Sequence, residues 1–272
     1  MMQKQKICKS YEWLLKNISP TPSIALILGS GLGDFIDPTN VKQVFNYQDI
    51  PEFPVSTAPG HAGKLFHINL HGKNILVFSG RFHLYEGYSP FEVVYGVRVA
   101  GLMGVKTLIL TNAAGALNPL FKAGELMLIT DHINFSGENP LIGENWDDFG
   151  PRFPDMSQVY SQTLQELAEK VALDISLPLY KGIYIQIKGP SLETPAETRV
   201  FRLLGADAIG MSTVLEAIAA KHMGMNIVGI SCLTNKNLPD CMSPTSEEEI
   251  LNMARKTNKK LKLFLDNFIQ NL

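Results

Sequence analysis

Ile24-Ala25-Leu26-Ile27-Leu28, running directly into Gly29-Ser30-Gly31-Leu32-Gly33, is the stretch that decides the fold. Five consecutive apolar residues ending in a glycine-rich turn read as a strand buried on both faces, the kind found in parallel sheets covered by helices. The same grammar recurs outward from it. Ile75–Phe78 leads to Ser-Gly-Arg-Phe-His, Leu108–Leu110 to Thr-Asn-Ala-Ala-Gly, and Ile183–Ile187 to Lys-Gly-Pro-Ser-Leu-Glu-Thr. Asp207–Ile209 leads to Gly-Met-Ser-Thr and Ile227–Leu233 to Thr-Asn-Lys, while Leu126–Ile129 is a further apolar run. Helical patterns over Pro90–Met103, Gln158–Val171, Ala196–Leu204 and Thr213–Met223 lie between some of these strands. Strands alternating with helices predict an α/β fold with a largely parallel sheet. Small polar loops at the carboxyl ends of such strands are expected to gather at one edge as one ligand site. A final helix is predicted to begin at the capping box of Ser246 and Glu249, ahead of Ile250, Ala254, Leu261, Phe264, Leu265 and Phe268. Its basic run, Lys256 to Lys262, reads as a solvated face.

Composition narrows the function classes. Of 272 residues, 45% are hydrophobic and 18% charged, enough for a sizeable core. With no repeat, low-complexity tract or linker, one domain over 1–272 is expected. A net charge of −2 argues against a nucleic-acid surface or an anionic membrane, so any anion must be held by a few focused groups. Cys8, Cys232 and Cys241 form no Cys-x-x-Cys pair, which fits a reducing compartment without structural zinc. The opening MMQKQKICKSYEWLLKN has no apolar stretch of signal-peptide length. Val93–Leu110 comes nearest to a membrane span, but Arg98 and Lys106 interrupt it. A cytoplasmic protein is expected.

Candidate chemistry sits in the strand-end segments. Gly29–Gly33 invites a dinucleotide-binding reading that Asp34 defeats, because G-x-G-x-x-G needs glycine there; the Walker pattern fails as well. A strand-to-helix turn remains, whose backbone N–H groups and Ser30 hydroxyl suit an anion, although an ordinary glycine turn fits equally. If Arg81–Tyr85 is extended, Arg81, His83 and Tyr85 project to one side, and an arginine fork with a histidine suits phosphate; a surface arginine in an ion pair is the alternative. His67 and His71 are read as strand and hairpin turn and His132 as a structural loop residue, so no metal site is expected. No Gly-x-Ser-x-Gly elbow supports a serine hydrolase. Glu193 and Asn235 each stand just beyond a predicted strand, and a carboxylate with a carboxamide can pair with a purine presenting a ring N–H and an acceptor. Either residue alone is as readily a turn former.

Eight segments taken in order resemble the trimeric purine nucleoside phosphorylase family: GSGLG (29–33), PGHAG (59–63), GRFHLYEGY (80–88), TNAAGALNP (111–119), DHIN (131–134), GPSLETPAE (189–197), GADAIGMSTVLE (205–216) and LTNK (233–236). The resemblance implies a single α/β domain around a mixed, partly barrel-like sheet flanked by helices. It implies phosphorolysis of the N-glycosidic bond of nucleosides such as inosine and guanosine, giving free purine and (deoxy)ribose-1-phosphate. Inorganic phosphate would be a co-substrate, with no metal or organic cofactor. Ser30, Arg81, His83, the backbone N–H of Ala113 and Ser212 would bind phosphate, with His61 on a loop beside it. Tyr85 and Met211 would line the ribose site, and Glu193 and Asn235 would hold the base, with Leu192 and Ile209 near it. Asn235, Glu193 and His83 would carry catalysis. Phe153 would enter the ribose pocket of a neighbour in a homotrimer.

Two positions depart from the family pattern. Leu192 stands where an aromatic residue usually precedes the glutamate. The usual histidine at the start of the last helix is missing, leaving Glu247 or a water to meet the ribose 5′-hydroxyl. A methylthioadenosine phosphorylase is the nearest rival, and Asn235 argues against it because relatives specific for 6-aminopurines usually place aspartate there. A dehydrogenase has only the Gly29–Gly33 loop in its favour. A non-catalytic purine binder would have no need of a phosphate-binding set.

Overall fold

The computed structural model describes residues 2–58 and 62–272. Ile24–Leu28 is strand β1, every residue of it buried. Around it come α1 (Met2–Asn17), β2 (Val41–Asn46), β3 (Lys64–Leu70) and β4 (Lys73–Ser79). The middle of the chain holds α2 (Pro90–Val93), α3 (Tyr95–Leu102), β5 (Thr107–Ala116), β6 (Leu126–Asn134) and α4 (Gln162–Asp174). The last part holds β7 (Leu179–Gln186), α5 (Pro195–Leu203), β8 (Ala208–Gly210), α6 (Val214–His222), β9 (Asn226–Lys236) and α7 (Glu247–Asn271).

One mixed sheet runs β2-β3-β4-β1-β5-β8-β7-β6-β9, and β9 returns to pair with β5. The strands β5, β8, β7, β6 and β9 therefore close into a five-stranded barrel, with β4, β1 and the antiparallel β2–β3 pair as a wing. The central pairs β1–β4, β1–β5 and β5–β9 are parallel; β5–β8 and β6–β9 are antiparallel. Parallel strands buried on both faces need an apolar residue at every position, which is why β1 reads as an unbroken run.

The barrel corrects one expectation. Thr111–Ala116, Asp131–Asn134 and Thr234–Lys236 were expected to be loops, and the strands carry on through all three. Closure supplies the reason. Ladder partners continue on both sides, with Ala113 opposite Cys232 and Gly115 opposite both Ile209 and Asn235, and bulges at 114/115 and 129/131 absorb the curvature. Asn235 is consequently inside β9, not beyond it, and His132 belongs to β6, where its Nδ1 meets the Tyr160 hydroxyl at 3.1 Å.

The Gly29–Gly33 turn leads into a single 3₁₀ turn, Gly33–Phe35, instead of a helix. A short turn lacks the aligned peptide dipoles of a helix N-terminus. The helix expected over Pro90–Met103 is broken at Val94 into α2 and α3. At the other end of the chain the Ser246–Glu249 capping box is present: Glu249 N–H donates to Ser246 Oγ at 3.2 Å and Ser246 N–H to Glu249 Oε2 at 3.0 Å. Ala254, Leu261, Phe264, Leu265 and Phe268 of α7 are buried, while Lys256, Lys259 and Lys262 face solvent. The hairpin at His71 and Gly72 uses left-handed backbone at both residues (φ 51° and 76°), as a two-residue turn between twisted strands demands. No helix among the described residues is long and apolar enough to cross a membrane.

Candidate active site

A cavity of about 500 Å³ opens where β5, β8 and β9 meet the segments after β1 and β4. Ser30, Arg81, His83, Tyr85, Ala113, Leu192, Glu193, Ile209, Met211, Ser212 and Asn235 all line it, so it collects the residues singled out in the sequence, with two exceptions. His61 lies outside the described residues. Phe153 is 87% exposed and stands away from its own cavity, with the Arg152 guanidinium 5.7 Å from its ring.

Arg81 is neither extended strand nor surface. Its Nε donates to Glu216 Oε1 at 3.2 Å and its Nη2 lies 3.1 Å from Glu216 Oε2, a two-point ion pair out of contact with water. Nη1 reaches the Thr111 carbonyl at 2.8 Å and Ser212 Oγ at 3.2 Å. Ser212 precedes Thr213, whose φ of 82° is unfavourable for a β-branched residue. That backbone is held by Glu216 Oε2, which accepts Thr213 N–H at 3.1 Å, and by Asn112 Nδ2, which donates to Thr213 Oγ1 at 2.8 Å. Gln186 Oε1 caps the first amides of α6, Val214 and Leu215, at 2.8 and 3.2 Å.

His83 stacks on Tyr85 with ring centroids 4.6 Å apart. Glu86 Oε1 lies 2.7 Å from His83 Nδ1 and 2.9 Å from its backbone N. A carboxylate only accepts, so Nδ1 carries the proton of the neutral ring. Burial holds His83 below its ordinary pKa, despite the pull of Glu86. Burial works against ionised Glu86 too, but donors from His83 and Thr57 outweigh it and hold its carboxyl at about 2.

Glu193 is buried just before α5, and that burial pushes its carboxyl upward. Asn235 projects from β9, with the Thr234 hydroxyl donating to its Oδ1 at 2.9 Å. Asn237 stands between them, and its Nδ2 donates to Glu193 Oε2 at 2.6 Å. Glycine is required at 115, because a Cβ there would lie 2.8 Å from Asn237 Nδ2. Glu247, Ile250 and Leu251 of α7 also line the cavity. Sequence reasoning gave no role to Glu86, Glu216 or Asn237. The signal for Asn237 is its place two residues after Asn235, on the same face of an extended chain.

Arg81 and Ser212 thus share one cavity with the Glu193 carboxylate and the Asn235 and Asn237 carboxamides. Among the described residues no group of three or more His, Cys, Asp or Glu is arranged to hold a metal ion. Residues 23–270 match the phosphorylase superfamily. The chain is 50% identical over 253 residues to purine nucleoside phosphorylase 1 of Bacillus subtilis, covering 93% of each chain. It is 46% identical to purine nucleoside phosphorylase of Bos taurus, covering 93% of this chain and 90% of that one. Among solved structures, Schistosoma mansoni purine nucleoside phosphorylase in complex with adenosine superposes with a TM-score of 0.91 at 35% identity, covering 98% of this chain and 97% of that chain.

Proposed function

The chain belongs to the phosphorylase superfamily, among its purine nucleoside phosphorylases, and from that premise we propose that it is a pentosyltransferase cleaving inosine- and guanosine-type nucleosides with inorganic phosphate. The observation that carries the reading is the single cavity that gathers Arg81, His83 and Ser212 together with the Glu193 carboxylate and the Asn235 carboxamide, a set suited to phosphate and to a purine.

Ser30, Arg81, His83, the Ala113 N–H and Ser212 hold phosphate against C1′ of the sugar, with His61 beside them. Fixing both reactants removes much of the entropic cost of a bimolecular displacement. A phosphate oxygen forms the new bond to C1′ while the C1′–N9 bond breaks and its electron pair passes to the base, which takes up the proton that the hydrogen phosphate gives up. Asn235 meets the N7/O6 side as charge gathers there, a contact stronger in the transition state than in the ground state. Glu193 accepts from N1–H. Tyr85 and Met211 flank the ribose, and Leu192 and Ile209 the base. The products are free purine and (deoxy)ribose-1-phosphate, the latter taking no organic cofactor or metal to form.

A homotrimer completes the site. The exposed Phe153 ring is a side chain whose apolar surface is not covered by its own chain, and a neighbour's ribose pocket would cover it. A single domain over 1–272 in the cytoplasm goes with this reading. The test is base release from a panel of nucleosides with and without phosphate. Phosphate-dependent release from inosine and guanosine is expected; hydrolysis without phosphate, or no release at all, would rule the function out.

A further inference from the structure

The Asn237 carboxamide bridges the two groups assigned to the base. Its Nδ2 donates to Glu193 Oε2, and its Oδ1 accepts from Asn235 Nδ2. An ionised carboxylate only accepts, so Nδ2 must face Glu193 and Oδ1 must face Asn235. The constraint passes along the chain of contacts: Asn235 must turn Nδ2 toward Asn237 and Oδ1 toward the donating Thr234 hydroxyl. The charge on Glu193 therefore sets the direction of both amides. Asn237 is buried against Gly115 and has little freedom to do otherwise.

We infer that Asn237 is a positioning, specificity-determining residue for the base: it keeps Glu193 ionised and orients Asn235, as recognition of a 6-oxopurine requires. The inference rests on the phosphorolysis reading above and deepens it. A protonated Glu193 would donate instead of accept, matching the N1 acceptor of an adenine, and would let both amides turn over. Burial, with the nearby Glu197 carboxylate of α5, drives Glu193 toward that protonated state. The backbone N–H of Glu193 itself opposes them, and the hydrogen bond from Asn237 acts in the same sense, because a donor to the charged form favours it. The other titratable groups on the cavity wall are Arg81, His83, Tyr85 and Glu247.

Two variants test this. Asn237→Val deletes both hydrogen bonds; Asn237→Asp keeps the shape and sets a second carboxylate against the first. kcat/KM for inosine and adenosine is measured from acid to alkaline pH, with hypoxanthine binding by calorimetry over the same range. Phosphate KM and melting temperature report whether each variant is folded. In Asn237→Val the acid limb for inosine moves toward neutrality, and the adenosine-to-inosine ratio rises on the order of tenfold, as loss of a hydrogen bond to a charged group implies. In Asn237→Asp the two carboxylates share one proton. Inosine activity and hypoxanthine binding then persist in acid and fall on a new alkaline limb, absent from the wild type, as that proton leaves. An unmoved acid limb and an unchanged ratio in a folded Asn237→Val protein overturn the inference. If that variant does not fold, the absence of an alkaline limb in Asn237→Asp overturns it. A wild type that binds hypoxanthine yet releases no base overturns the phosphorolysis reading alone, and the binding limbs still decide the role of Asn237.

Discussion

Arg81 and Glu216 meet at two points, 3.2 and 3.1 Å, with both side chains almost wholly removed from water. The pair ties the segment after β4 to the first turn of α6, and the same carboxylate holds the left-handed backbone of Thr213. Removing one partner leaves an uncompensated buried charge. Glu216→Ala is expected to cost roughly 3–5 kcal/mol, read as a lower midpoint in urea denaturation. Arg81→Ala should raise the phosphate KM far more than it weakens hypoxanthine binding, since its hydrogen bonds go to Glu216, Thr111 and Ser212 and the base is assigned to Glu193 and Asn235. Equal loss of both affinities would make Arg81 a structural residue only.

The contact between His83 and Glu86 gives the fold a pH dependence. The Glu86 carboxyl falls from an ordinary 4.5 to about 2, so its contribution is full above 4.5 and lost as pH falls toward 2. The His83 shift acts in the same sense: its ring is held neutral chiefly by burial, so protonation below the ordinary 6.5 weakens the fold. Glu86→Gln should therefore lower stability at pH 7 and lose its deficit against the wild type in acid. A deficit that stayed constant with pH would show that the side chain acts through packing and not through its charge.

Phe153 offers a test by complementation. Being almost fully exposed, it can be cut to alanine with no loss of melting temperature, while the nucleoside KM should rise severalfold. Phe153→Ala lacks the ring it would lend, and Glu193→Ala lacks the base site but keeps the ring. Each preparation alone should be impaired, and subunits exchanged between them should regain activity. No recovery in mixed oligomers, or full activity in sedimenting monomers, would contradict a shared site.

Glu247 lines the cavity from the start of α7. A neutral hydrogen bond to the ribose 5′-hydroxyl is worth about 0.5–1.5 kcal/mol, so inosine and 5′-deoxyinosine should differ only modestly in kcat/KM. Glu247→His should widen the gap. A wild-type preference of about a hundredfold, on the order of 2.7 kcal/mol, would mean that another residue already serves the 5′ end.

Much of this molecule was readable from its chain because its inner strands are apolar at every position. Ile24–Leu28 is found with the bounds its composition indicates. Where a strand carries polar or tiny residues the reading stopped short: Thr111–Ala116 looks like a loop, and only closure against β9 and β8 makes it strand. α1 went unseen because its buried face is slight, Ile7 and Leu14 with Ser10 between them; the Ser10 hydroxyl lies 2.8 Å from that of Tyr95 on α3, a contact no local pattern announces. β2 escaped for a related reason, since none of its residues is fully buried. Eleven of the candidate site residues, picked out by the motifs that hold them, line one cavity. Glu216 and Asn237 were missed as functional because each acts through a partner distant in sequence, Arg81 and Glu193 respectively.

Strand β5 has a mechanical consequence for the cavity. Ala113 and Gly115 both line the cavity, Gly115 against the Asn237 amide, two residues apart on one extended backbone. Their separation along the strand is set by the rise of the chain, about 7 Å, with ladder partners from β9 on either side of the bulge at 114/115 and from β8 at Gly115. Here the wall between Ala113 and Gly115 is a graduated rule built into the sheet itself, its marks spaced by backbone and not by loops.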